Sequence, residues 1–236
     1  MTWRMRTFKI VAAVPVMAAL YFVSPDLPLL HGGSGAGHHA HGAPQTVTWR
    51  DCEPISVVLG DRNLDPAKKA LLRESLAVLT SASGLSFKIV GTTGEVPQID
   101  WALSGPKMPG SSYPPVYVGW VHRGETNILR DEKVLGSAVA NPAVKNSVRQ
   151  LVTGAVVFND SLYRSLDASN GPGETQRNLV LHELGHLLGL GHVEHVSIMN
   201  ADPGKWPAGL NAHDLTALGG LPTRCPAASS GPVAGR

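Results

Sequence analysis

With 236 residues, 43% hydrophobic and 16% charged, the chain has enough apolar material for one well-formed core and too much to stay disordered. Its formal net charge of +2, with no Lys- or Arg-rich patch, no interleaving of basic and aromatic residues and no zinc-finger cysteine spacing, excludes nucleic acid as the expected partner. The ends differ in composition from the middle, which predicts one folded domain of about 180 residues rather than two.

Arg4, Arg6 and Lys9 precede an apolar run from Ile10 to Val23, the charged and hydrophobic regions of an export segment. The run is short for a membrane-spanning helix and contains Pro15. Ser24-Pro25-Asp26-Leu27-Pro28 follows without a clean small-x-small cleavage site, so residues 1–30 are expected to be a signal peptide or an N-terminal anchor, with residues 10–23 as the tether. Either way the expected location is secreted or on the extracellular face of the cell membrane. Residues 31–46 read as a Gly/Ala/His-rich linker whose His31, His38, His39 and His41 lack the fixed geometry that would select one ion. The folded domain is expected over 47–225 and a flexible tail over 226–236. Export admits a disulfide between Cys52 and Cys225, near the two ends of that domain, with two free thiols as the alternative.

The β-branched run Ile55 to Leu59 predicts a strand. Asp65-Pro66 supplies an N-cap and a first-turn proline for a helix to about Ser81, with Leu71, Leu72, Leu76 and Leu79 on its apolar face. Strands are predicted at Ser86 to Val90 and Val116 to Val121, separated by a Pro- and Gly-rich loop over 91–115. Leu135 to Val139 reads as a short edge strand and Leu151 to Phe158 as a stronger one, with Asn170-Gly171-Pro172-Gly173 closing the strand half. Helical spacing of Leu179, Leu181, Leu184, Leu187 and Leu188 predicts a helix from Glu174 to Gly189. A last helix is expected from Asn211, where Asn211 and Asp214 have capping-box-like spacing, to Gly219-Gly220. One long helix among strands, then two helices, argues an α+β domain with a twisted mixed sheet.

The chemistry concentrates in His182-Glu183-Leu184-Gly185-His186-Leu187-Leu188-Gly189-Leu190-Gly191-His192. Residues four apart share a helix face, so His182 and His186 can hold one ion while Glu183 lies beside them as general base for a water that the ion activates. Gly189 lets the chain leave the helix and return His192 as a third ligand. Three neutral nitrogens leave a tetrahedral zinc with one open position, as catalysis requires. His195 is the rival for the third ligand.

This run resembles the extended zinc motif of the metzincin metalloproteases, and within that clan the chain looks like a bacterial matrixin-like member. Ser197-Ile198-Met199-Asn200 stands where the family has its Met-turn, which makes Met199 the matching methionine. The resemblance, which spans about Trp49 to Gly220, implies a metzincin-like protease domain with a long helix, an active-site helix and a C-terminal helix. It also implies hydrolysis of internal peptide bonds of extracellular proteins or peptides. An extended substrate would pair with the edge strand at Leu135 to Val139, and residues 200–210, Trp206 included, would line a pocket. Val157-Phe158-Asn159-Asp160 lacks the histidine with which many matrixins hold a structural zinc, so one zinc is expected. Structural calcium is left to loop carboxylates such as Asp160 or Asp167. No cysteine-switch prodomain is expected, because Cys52 stands in Asp51-Cys52-Glu53-Pro54 and not in the switch motif, and a monomer is expected. The alternative from another class is an exported zinc-stabilised binding domain without turnover.

Overall fold

The computed structural model describes residues 48–49, 53–131, 133–145, 148–170 and 174–221. The expected export segment, linker, tail and both cysteines lie outside these residues. Two expectations are corrected. No helix among the described residues is long and apolar enough to cross a membrane, so the tether through residues 10–23 is withdrawn, and the expected monomer gains no support. Nor is a disulfide found among the described residues, and Cys52 and Cys225 are not among them, so that pairing is withdrawn too.

The fold is α+β, with a mixed sheet of six strands. Strands β1 (Thr48–Trp49), β2 (Ile55–Gly60), β3 (Phe87–Thr93), β4 (Val116–Val121) and β6 (Val148–Asn159) run in the order β1-β6-β4-β2-β3, all parallel to their neighbours. Strand β5 (Gly136–Lys145) pairs antiparallel with β6, from Gly136 opposite Phe158 to Lys145 opposite Val148, with a register break between Asn141 and Pro142. Among the described residues no strand pairs with its other side.

Side chains alternate across the central strands, as a sheet covered on both faces requires. Val57, Leu59, Val118, Trp120, Val156 and Phe158 join the larger core beneath the helices. Their neighbours Val58, Tyr117, Val121, Ala155 and Val157 form a smaller core with Trp101, Ile128 and Leu129 on the opposite face.

Helix α1 (Pro66–Ser83) begins where expected: the Asp65 side chain accepts from the Lys68 amide, Pro66 occupies the first turn and Gly84 closes the helix at φ 73°. Helix α2 (Trp101–Ser104) is a single turn inside the expected loop. Helix α3 (Asp160–Asn170) follows β6 without a break and is the one element of length that the sequence reading lacks. Its first residue is buried at 1% exposure and paired with Lys68 Nζ at 2.6 Å and with Arg164. Lys68 Nζ also donates to Asn63 O at 2.6 Å. With two cations on its carboxylate, Asp160 is not a calcium ligand, which corrects that expectation; the Asp167 side chain is outside what is described.

Helix α4 (Glu174–Leu187) packs against β5, β6, α1 and α3. The short helix α5 (Ala212–Gly219) packs on α1 and carries the capping box expected at Asn211 and Asp214. At the other end of the chain, Trp49 Nε1 donates to Leu187 O at 3.0 Å and so fastens β1 to the last turn of α4.

Candidate metal centre

Helix α4 ends one turn after His182. Gly189 N donates to His186 O at 2.9 Å and Leu190 N to Gly185 O at 3.0 Å, with Gly189 at φ 101°. These are the two bonds of a Schellman motif, and the left-handed conformation at its centre is one a side chain resists. The chain then turns back, and residues 193–200 close on themselves: Val193 N donates to Met199 O at 3.1 Å and Asn200 Nδ2 to His195 O at 2.9 Å.

This path brings His182, His186 and His192 together. Their Nε2 atoms stand 3.0, 3.1 and 3.3 Å apart. A tetrahedral ion with imidazole nitrogens at about 2.0–2.1 Å sets its ligand atoms about 3.3–3.4 Å apart, so the three fit one small dication.

Proton placement agrees with that fit. His182 Nδ1 lies 2.6 Å from Ile198 O, and His186 Nδ1 lies 2.8 Å from Leu190 O. A carbonyl only accepts, so in each neutral ring Nδ1 carries the hydrogen and Nε2 turns its lone pair toward the centre. Burial lowers His182 to about 3, assisted by His186, and lowers His186 to about 4 against the pull of its Leu190 bond. Both rings are therefore neutral at physiological pH and converge as lone pairs, an arrangement that a cation reconciles. His182 is fully buried and His192 exposed, so the cluster opens to solvent on the His192 side.

Glu183 is 1% exposed. Burial pushes its carboxyl up to about 8, and among the described residues its Oε2 has no hydrogen-bond partner. Gly136, the first residue of β5, makes room for it: a Cβ there would lie 2.9 Å from both Cγ and Oε1 of Glu183.

Met199 is 4% exposed and seats its sulfur against Gly185, where a Cβ would come within 2.5 Å of Sδ. The turn that carries Met199 is held from α5. Asp214, 2% exposed, accepts from the Ser197 hydroxyl, from Ile198 N at 3.2 Å and from Asn211 N at 2.9 Å. Ile198 therefore links the two layers, its amide on Asp214 and its carbonyl on His182. Trp206 lies beside the cluster with its ring 5.3 Å from that of His182, fixed by Nε1 donating to Asn200 O at 2.8 Å. His195, the rival ligand, is outside the cluster with its ring against His213.

Gly136 and the Asp214–Ile198–His182 relay are absent from the sequence reading. The capping-box spacing marks Asp214 as a helix cap, but nothing local marks its second role. Gly136 leaves no trace in any periodic pattern.

Among the described residues, His182, His186 and His192 thus form a cluster able to coordinate a metal ion. No protein-family model matches the chain, and neither does any curated protein.

Proposed function

We propose that the protein is an exported zinc-dependent endopeptidase of metzincin, matrixin-like type, with His182, His186 and His192 as ligands and Glu183 as general base. The observation that carries this reading is the convergence of three Nε2 atoms, with the buried Glu183 next in sequence to His182. An all-imidazole donor set suits zinc and disfavours magnesium or calcium.

Zinc, when bound, supplies a Lewis acid that polarises the scissile carbonyl and acidifies water. Glu183 would take the proton from the attacking water and return it to the leaving amine. The Ile198 and Leu190 carbonyls keep the Nδ1 protons of His182 and His186 in place and so hold both rings in their ligating tautomer. A peptide laid along the outer side of β5 would pass Glu183 at Gly136, and Trp206 would wall the cleft beside His182.

A second reading, an exported zinc-stabilised binding domain without turnover, draws on the near-complete burial of Glu183, which keeps its carboxylate from solvent. Cleavage of a peptide library by the wild type and by Glu183→Gln, with zinc quantified in both, separates the two. Hydrolysis of internal bonds by the wild type alone, at equal zinc, is the expected result. Equal zinc with no cleavage in either would favour the binding domain, and equal cleavage in both would refute the role given to Glu183.

A further inference from the structure

Outside the cluster, one other pair of imidazole rings meets among the described residues. His195, in the loop after His192, and His213, in the first turn of α5, set their ring centroids 4.8 Å apart at a tilt of 56°. The three ring pairs of the cluster stand 4.6, 4.6 and 5.2 Å apart. The ring separation at His195 and His213 falls within that range.

The pair is also positioned in advance. One side chain, Asn211, grips both backbones: its Nδ2 donates to Val196 O at 2.8 Å, next to His195, and its Oδ1 accepts from His213 N at 2.9 Å. Asn200 adds a bond from Nδ2 to His195 O at 2.9 Å. Both rings are exposed, and among the described residues neither has a hydrogen bond through its nitrogens. The backbone is fixed while the donor atoms stay available.

We propose that His195 and His213 form a second metal-ion site, at the surface, which takes a transition-metal dication such as Zn2+, Ni2+ or Cu2+. Imidazole nitrogens suit these ions, and without a carboxylate in the pair magnesium and calcium are poor candidates. No third His, Cys, Asp or Glu donor completes the pair among the described residues, so water fills the remaining positions and the ion is held more weakly than at the cluster. A bound ion would fasten the loop of residues 193–200, and with it Met199, to α5. The inference is independent of peptide hydrolysis.

The test is a zinc titration of the full chain against a competing indicator dye, in a background with His31, His38, His39 and His41 replaced by alanine so that these do not contribute. Two classes of ion are expected, and the weaker one is lost in His195→Ala and equally in His213→Ala while the tighter one is unchanged. A single class in the parent chain, or a weaker class that survives either substitution, overturns the site. A second measurement does not depend on the variants: with the cluster filled by zinc, one added equivalent of Cu2+ gives an electron paramagnetic resonance spectrum split by two imidazole nitrogens, and a spectrum showing one or none overturns it equally.

Discussion

Replacing Asp214 by alanine tests how the second layer supports the cluster. The substitution removes three hydrogen bonds from a carboxylate that is 2% exposed, and it leaves the Ile198 and Asn211 amides without their acceptor. The Ser197 hydroxyl can rotate to another acceptor, but the two backbone donors cannot. At about 1–3 kcal/mol for each of these two donors left unsatisfied, the loss of stability comes to about 2–6 kcal/mol. For a domain of this size that corresponds to a thermal midpoint lower by roughly 10 °C. Ile198 presents its carbonyl to His182 Nδ1 from the same peptide segment, so the ligand also loses its orienting partner. Zinc affinity is expected to fall about 10-fold, the low end of the range for outer-shell substitutions. Urea unfolding followed by tryptophan fluorescence, with and without zinc, reads the first effect; competition with a chromophoric chelator reads the second. A stability loss under about 1 kcal/mol would refute the hydrogen-bond reasoning. A large loss with unchanged zinc affinity would show that the Ile198 carbonyl keeps its place without Asp214.

Two further outcomes follow from the same geometry. In Gly136→Ala the new Cβ begins 2.9 Å from Glu183, against about 3.4 Å for ordinary contact, and the buried side chain must move by roughly half an ångström; kcat/KM on a cleaved peptide is expected to drop about 10- to 100-fold with zinc stoichiometry intact, and an unchanged kcat/KM would refute the placement of Glu183. In zinc-free protein, His182 and His186 have folded pKa values of about 3 and 4, below the ordinary 6.5, so their contribution to stability falls as pH drops from 6.5 through those values. Glu183, raised from 4.5 to about 8, acts in the opposite sense, and its contribution falls as pH rises from 4.5 to about 8. With two groups on the acid side and one on the alkaline side, the combined contribution is greatest near pH 6.5. Chemical unfolding at stepped pH measures this, and Glu183→Gln should flatten the alkaline limb and steepen the fall between pH 6.5 and 4.5, where Glu183 opposes the histidines; an alkaline limb that persists in the variant would assign it to another group.

Much of the site was legible because its ligands are local. Helical spacing puts His182 and His186 on one face, and a glycine at the helix end foretells the return of His192, all within one short run. The strand Val116–Val121 has the expected bounds because loop composition gives way to an apolar run at its start. Helix α3 was missed because Asp160 follows Asn159 with neither Gly nor Pro between strand and helix, although Leu162, Tyr163 and Leu166 have helical spacing. The obvious breaker, Gly171-Pro172-Gly173, marks the end of that helix instead of the end of the strands. Strand order, the antiparallel placement of β5 and the approach of Gly136 to Glu183 depend on contacts between segments far apart in the chain. No local pattern encodes them.

The outer side of β5 has a consequence for the protein's own company. A row of unpaired backbone donors and acceptors discriminates poorly between chains, so an edge that accepts a foreign strand is equally a template for another copy of itself. In β5 that row is interrupted: the register breaks between Asn141 and Pro142, and Pro142 has no amide hydrogen to offer. What remains regular is the stretch from Gly136 to Asn141, which starts beside Glu183. One proline thus discourages polymerisation through the edge, and it would limit the length of any segment that paired with β5.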